Sequence, residues 1–241
     1  MNSSYLQNYL NELKNLISNN FNLKLIQKLI LVLKKIKKKN KIMIFGNGGS
    51  AAIANHFMTD MSKNTNIKCI SLSDTSLITC LANDYGYENL NQKYIEYCGN
   101  SGDVLIAISS SGESKNMINA CKKAKKLKFS RIITLTGFKK NNTLSKMGNI
   151  NFWVNSKNYN LIENTHQVYL LSTIDLLTKK KCEIDNYSFA CPELTWSAFT
   201  YEEWLSDWQD VDITINGLYP NMTMDDVLLF KSLFDIDENK L

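Results

Sequence analysis

Proline is almost missing from this 241-residue chain, which has two, alongside ten glycines. So little of either excludes collagen-like repeats and long flexible linkers. Histidine is equally scarce, at two, so any imidazole chemistry has to run through His56 or His166. The six cysteines, Cys69, Cys80, Cys98, Cys121, Cys182 and Cys191, form no C-x-x-C pair. That predicts reduced thiols in a cytoplasm rather than a disulfide frame or a zinc ribbon. Lysines interrupt every apolar run well short of a membrane span. The start, Met1-Asn2-Ser3-Ser4-Tyr5, lacks the basic and apolar blocks of a secretory signal. The expectation is a cytoplasmic protein without membrane contact.

The 44% hydrophobic content suits a globular protein, and the length suits one α/β domain with an appendage. The net charge of +5 is unevenly spread. Residues 186–241 are rich in Asp and Glu and hold only Lys231 and Lys240 as bases, so the rest of the chain is clearly basic. The run from Lys34 to Lys41 raises nucleic-acid binding as a reading. No aromatic residue interleaves with these lysines as a base-stacking platform requires. The expectation is therefore lysines gathered at a helix C-terminus, where the dipole favours cations, and no nucleic-acid partner.

Leu6, Leu10, Leu13 and Ile17 recur at helical spacing, as do Ile26, Leu29, Ile30, Leu33 and Ile36. Two helices, over 4–18 and 23–38, thus precede a first strand at Ile42–Phe45. Further strands are expected at 67–72, 103–108, 131–135 and 150–154. Helices are expected at 50–62, 77–82, 89–97, 114–126 and 161–180. Apolar β runs alternating with helices predict a doubly wound, parallel five-stranded sheet with helices on both faces. Residues 1–185 form that α/β domain with its N-terminal helical pair. Residues 186–241 break the rhythm: they hold both prolines, Pro192 and Pro220, and Trp196, Trp204 and Trp208. Thr200 and Thr223, each followed by acids, read as helix N-caps, so a C-terminal helical extension is expected.

Two loops carry chemistry. Gly46-Asn47-Gly48-Gly49-Ser50-Ala51-Ala52 follows the first strand and opens a helix. Its glycines let backbone approach a ligand, and the helix N-terminus offers N–H groups to an anion. It is neither G-x-G-x-x-G nor a P-loop. Ser109-Ser110-Ser111-Gly112-Glu113-Ser114 also follows a strand and opens a helix. Hydroxyls and backbone N–H groups converging without lysine or arginine suit a phosphate monoester. In a doubly wound sheet both loops fall at the carboxyl ends of strands, where ligands bind.

Phe45 to Asp60, reading FGNGGSAAIANHFMTD, resembles the signature of the phosphoheptose isomerases, a family with the SIS (sugar isomerase) fold. The same holds for Ser71–Asp74, Asn83–Tyr87, Gly102–Val104 with the serine loop, and Leu135–Gly137. The resemblance spans roughly residues 1–180. It implies conversion of sedoheptulose 7-phosphate to D-glycero-D-manno-heptose 7-phosphate in a homotetramer with sites at subunit interfaces. It also implies substrate contacts from Asn47, Gly48, Ser50, Ser109, Ser110, Ser111 and Ser114, mainly to phosphate, with Asp84 near the sugar.

Both histidines have carboxylates at helical spacing: His56 with Asp60, and Glu163 with His166. An aldose–ketose isomerase needs a base beside the carbonyl and an acid or metal for the enediolate. Asp60 or Glu163 is the expected base, and His56 and His166 are acids or metal ligands. Zinc or another divalent ion held by His56, Asp60 and Glu163 is the expected cofactor set. The chain departs from the resembled family at three positions. Asp60 stands for a glutamate, Glu163 for a glutamine, and Leu171 for a second catalytic histidine. A non-catalytic SIS protein that binds a phosphosugar or another protein is the competing reading.

Overall fold

The computed structural model describes residues 3–20 and 23–179. The chain divides into two units, Met1–Lys181 and Cys182–Leu241, and the description concerns the first. The expected extension at 186–241, with its Thr200 and Thr223 caps, lies outside the described residues.

Five strands form one all-parallel sheet: β1 (Lys41–Phe45), β2 (Lys68–Ser71), β3 (Val104–Ser109), β4 (Arg131–Thr136) and β5 (Ile150–Trp153). Their order is β2-β1-β3-β4-β5. The central strand β3 is buried along its whole length, which is why it reads as an unbroken apolar run rather than an alternation. Met43 and Phe45 of β1 and Leu105 and Ala107 of β3 pack with Ile95, Met117, Ala120, Cys121 and Ala124 in one core layer. The alternate residues Ile42, Ile44, Ile106 and Ile108, also buried, point to the opposite face.

Seven helices cover the sheet among the described residues: α1 (Ser3–Asn20), α2 (Leu23–Lys34), α3 (Gly49–Asn64), α4 (Thr75–Tyr85), α5 (Leu90–Cys98), α6 (Lys115–Lys126) and α7 (Tyr159–Leu177). One group, α1, α2, α3 and α7, packs together, and α4, α5 and α6 form the other. None is long and apolar enough to cross a membrane. The chain leaves β1 for β2 on one side, then returns to place β3 on the other side of β1. The loops after β1 and β3 therefore diverge at the topological switch point, and a crevice opens between them.

Three differences from the sequence expectations have physical causes. Helix α4 begins earlier than expected because Asp74 accepts the Leu77 N–H at 2.7 Å as an N-cap. It runs on to Gly86, whose φ of +79° stops it. The lysine run is only partly at a helix end: Lys34 closes α2, Lys35 to Lys39 form the turn beyond it, and Lys41 opens β1. There Lys41 Nζ meets the buried Asp103 at 2.7 Å. Asp103 also accepts from Asn40 Nδ2, Lys41 N and Asn100 N, so this carboxylate ties the start of β1 to that of β3. Lastly, α1 buries only half its expected stripe. Leu13 and Ile17 are half-buried, whereas Leu6 and Leu10 stay exposed, because no described residue covers the first turns.

Candidate active site

Loop 1, Gly46–Gly48, turns sharply from β1 into α3. Gly46 is the position where only glycine fits, since a Cβ there would lie 2.4 Å from the Ser50 carbonyl. Gly48 caps α3 at φ 53° with no side-chain cap bond, so first-turn N–H groups of α3 stay available to an anion. One anion is already near. Glu163, in the first turns of α7, accepts from Ser50 Oγ at 3.1 Å. Its carboxylate lies so close over Gly49 that a Cβ there would sit 2.2 Å from Glu163 Oε2. A carboxylate at this helix N-terminus is electrostatically favourable.

The serine loop folds into a cradle. Ser109 Oγ lies 2.9 Å from Ser114 Oγ and 3.5 Å from Ser111 Oγ. It also accepts from Gly112 N, while Ser111 Oγ accepts from Glu113 N. Ser114 occupies the N-cap of α6 but makes no side-chain cap bond. Its hydroxyl turns to Ser109 instead, which leaves the helix N-terminus to a ligand. Gly112 is forced: its φ is +71°, and a Cβ would lie 2.1 Å from the Asn142 side chain. Glu113 closes the outer edge by accepting from Thr143 N and Oγ1 at 2.9 and 2.7 Å. These bonds hold its carboxyl below the usual range. Ser110 Oγ is buried without a hydrogen-bond partner among the described residues, and Ser110 O accepts from Gly137 N at 2.8 Å.

The two loops are joined by amides. Asn47 Nδ2 donates to Asn116 Oδ1 at 3.1 Å, and Asn116 Nδ2 donates to Asn47 Oδ1 at 2.7 Å. Tyr87 OH donates to the same Asn47 Oδ1 at 3.1 Å. Beside loop 1, a pocket of about 100 Å³ is lined in part by Asn47, Gly48, Ser71, Tyr87 and Asn91.

The expected residues fall into five places. Asn47, Gly48, Ser50 and Glu163 meet at loop 1, and Ser109, Ser110, Ser111 and Ser114 meet in the cradle. Asp84 stands apart, exposed near the end of α4, where Asn83 Nδ2 and Cys80 Sγ donate to its carboxylate. His56 and Asp60 pair with each other at 3.4 Å. They lie six and ten residues beyond Ser50 on α3, so roughly 9 and 15 Å along the axis at 1.5 Å per residue. His56, Asp60 and Glu163 are therefore not one ligand set within a chain. Among the described residues no group of three or more His, Cys, Asp or Glu is placed to hold a metal ion. The expected three-ligand zinc site does not fit this arrangement.

His166 also needs correction. The expected acid or metal ligand is completely buried, and its Nε2 lies 3.1 Å from the Thr136 carbonyl oxygen. A carbonyl only accepts, so Nε2 carries the hydrogen and Nδ1 is the bare nitrogen. Burial lowers the pKa to about 4, partly countered by that bond. The ring is a neutral strap between α7 and β4, outside the crevice. The reason is helical phase: Glu163 lies on the flank of α7 toward α3, whereas His166 falls on the core face with Ile162, Tyr169 and Leu170. Leu171, half-buried on α7, has no group able to carry a proton.

Asn116 and Asn91 escape a motif-based reading, yet both are buried, at 3% and 4% exposure. A signal was available. Asn116 interrupts the apolar face of α6 formed by Met117, Ala120, Cys121 and Ala124, and a polar side chain in such a stripe requires a partner.

A family model described as SIS domain matches residues 4–137, a span that includes both loops and stops before Glu163. The chain is similar to the phosphoheptose isomerase of Histophilus somni (strain 2336), with 40% identity over 131 residues covering 52% of this chain and 67% of that one. It is likewise similar to that of Buchnera aphidicola subsp. Schizaphis graminum, with 40% identity over 141 residues covering 56% and 72%. Among solved structures, the phosphoheptose isomerase of Neisseria gonorrhoeae superposes with a TM-score of 0.69 at 26% identity, covering 74% of this chain and 100% of that one.

Proposed function

The chain belongs to the SIS-domain family and, within it, to the phosphoheptose isomerases, and on that premise we propose that it interconverts sedoheptulose 7-phosphate and D-glycero-D-manno-heptose 7-phosphate through an enediolate. The observation that carries this reading is the pairing of a serine cradle at the N-terminus of α6 with a carboxylate, Glu163, over the N-terminus of α3. The first suits a dianionic phosphate. The second already holds a negative charge, so the phosphate belongs in the cradle and the reacting end of the sugar at loop 1.

Glu163 is the base in this reading. It removes a proton from C1 of the ketose, and the electron pair forms the C1=C2 bond while the C2 oxygen takes the negative charge. A proton passes from the C1 hydroxyl to the C2 oxygen, the abstracted proton returns to C2, and the aldehyde results. Hydrogen-bond donors of loop 1 face the developing oxyanion. Ser109, Ser110, Ser111 and Ser114 hold the phosphate, and Asp84 serves the sugar hydroxyls.

The reading includes a cytoplasmic homotetramer. Its support is the exposed Leu6 and Leu10 on α1 and Val168 and Leu176 on α7, which form apolar surface that no described residue covers. His56 and Asp60 share one flank of α3 with Gly49, at i, i+7 and i+11. Half-exposed, they are available to complete a site with a neighbouring subunit.

The test is solvent exchange. Protein incubated with sedoheptulose 7-phosphate in D2O should exchange deuterium into C1 and form the aldoheptose phosphate, and Glu163→Gln should lower both rates by at least about 10²-fold. Binding without exchange would favour the non-catalytic reading.

A further inference from the structure

Asn47 has a side chain whose two ends are chemically different, and its surroundings decide which end is left for a ligand. Its Oδ1 accepts twice, from Tyr87 OH at 3.1 Å and Asn116 Nδ2 at 2.7 Å, so both lone pairs are engaged. Its Nδ2 donates once, to Asn116 Oδ1 at 3.1 Å. The second Nδ2 hydrogen has no partner among the described residues, and Asn47 lines the pocket beside loop 1. The side chain therefore offers that pocket a hydrogen-bond donor and no acceptor.

The orientation is held from behind. Asn116 is 3% exposed, so flipping its amide would bury two mismatched groups. Its Nδ2 also reaches toward Asn91 Oδ1 at 3.5 Å, and Asn91 is 4% exposed. Turning either amide of the Asn47–Asn116 pair alone sets donor against donor and acceptor against acceptor. In a buried site that mismatch is costly.

Asn116 stands two residues after Ser114, in the first turn of α6. It thus ties the helix whose N-terminus carries the phosphate cradle to the loop-1 amide. We infer that Asn116, with Tyr87 in support, is a positioning residue that locks Asn47 with its free N–H toward the sugar, where it donates to the C2 oxyanion of the enediolate. This rests on the isomerase reading. It adds a direction of hydrogen bonding, two residues that set it, and a rigid link between the phosphate anchor and the reacting end. A preset donor of this kind stabilises the transition state without reorganising during the reaction.

The experiment is a double-mutant cycle on the full chain with sedoheptulose 7-phosphate, using Asn47→Ala, Asn116→Ala and Tyr87→Phe. Asn47→Ala should lower kcat about 10²-fold, the cost of removing an oxyanion donor. Asn116→Ala should lose roughly 10- to 100-fold through the same group, and Tyr87→Phe about fivefold, the worth of one hydrogen bond. Once Asn47 is Ala, neither further change should lower kcat by more than about twofold, because residues acting through one group are not additive. The inhibition constant of inorganic phosphate should stay within about twofold in Tyr87→Phe. Tyr87 is 56% exposed, so this variant keeps the test decisive if Asn116→Ala does not fold. Losses that multiply in full overturn the lock. If the wild type binds the ketose phosphate without turning it over, the isomerase reading fails, and the same cycle on calorimetric affinity decides the lock separately.

Discussion

At the residue scale, His166 shows how environment overrides residue type. Histidine is the side chain best suited to proton transfer near neutrality, yet here it is a buried neutral donor to Thr136 O. Its pKa falls to about 4 because burial penalises the charged ring. The unfolded chain therefore binds a proton that the folded chain refuses between about pH 6.5 and 4. Stability from this group is fully present above pH 6.5 and is lost as pH falls toward 4, by about 3 kcal/mol for a 2.5-unit difference. His166→Gln, whose amide can still donate to a carbonyl, should flatten that slope. Urea midpoints at pH 7 and pH 4.5 measure it, and equal slopes in both proteins would show that His166 does not set the acid limit.

At the element scale, the approach of α7 to α3 is set by a glycine. Gly49 lets the Glu163 carboxylate rest against the first turn of α3. Gly49→Ala improves helix propensity by up to about 1 kcal/mol, yet its Cβ would occupy the space of Glu163 Oε2. The expected outcome is an unchanged or higher Tm with kcat lowered more than about tenfold. Full activity in this variant would mean that the contact of α7 with α3 does not place the base. Much of this level was legible in sequence. The strand runs, the helix periods and both loops were readable because each depends on residues near in the chain. The start of α4 is written there too, since Asp74 is an N-cap residue type directly before it.

At the scale of the whole molecule, the uncovered apolar side chains on α1 and α7 make a claim about assembly. Leu6 and Leu10 are exposed in one chain, so charging them should change monomer stability by no more than about 0.5 kcal/mol. In a homotetramer the same change breaks an interface. Light scattering should give about four times the chain mass of 27.6 kDa for the wild type, and a smaller species for the Leu6→Lys, Leu10→Lys double variant. A wild-type monomer removes the assembly from the proposed function, and with it the completion of a site by His56 and Asp60 from a neighbour.

The sequence by itself determined the alternation of strands and helices, the two loops at strand ends and the carboxylates and histidines available. Each of these is written in local periodicity, glycine placement or residue identity. Only the tertiary structure decided which of those groups meet. It placed Glu163 at Ser50, turned His166 into the core, left His56 and Asp60 two to three turns down α3, and paired Asn47 with Asn116 across 69 positions of chain. Such meetings depend on the phase and crossing of helices packed by the sheet. At about 100° per residue on a 3.6-residue helix, the three-residue step from Glu163 to His166 turns the side chain by about 60°, which separates Glu163 in the crevice from His166 in the core.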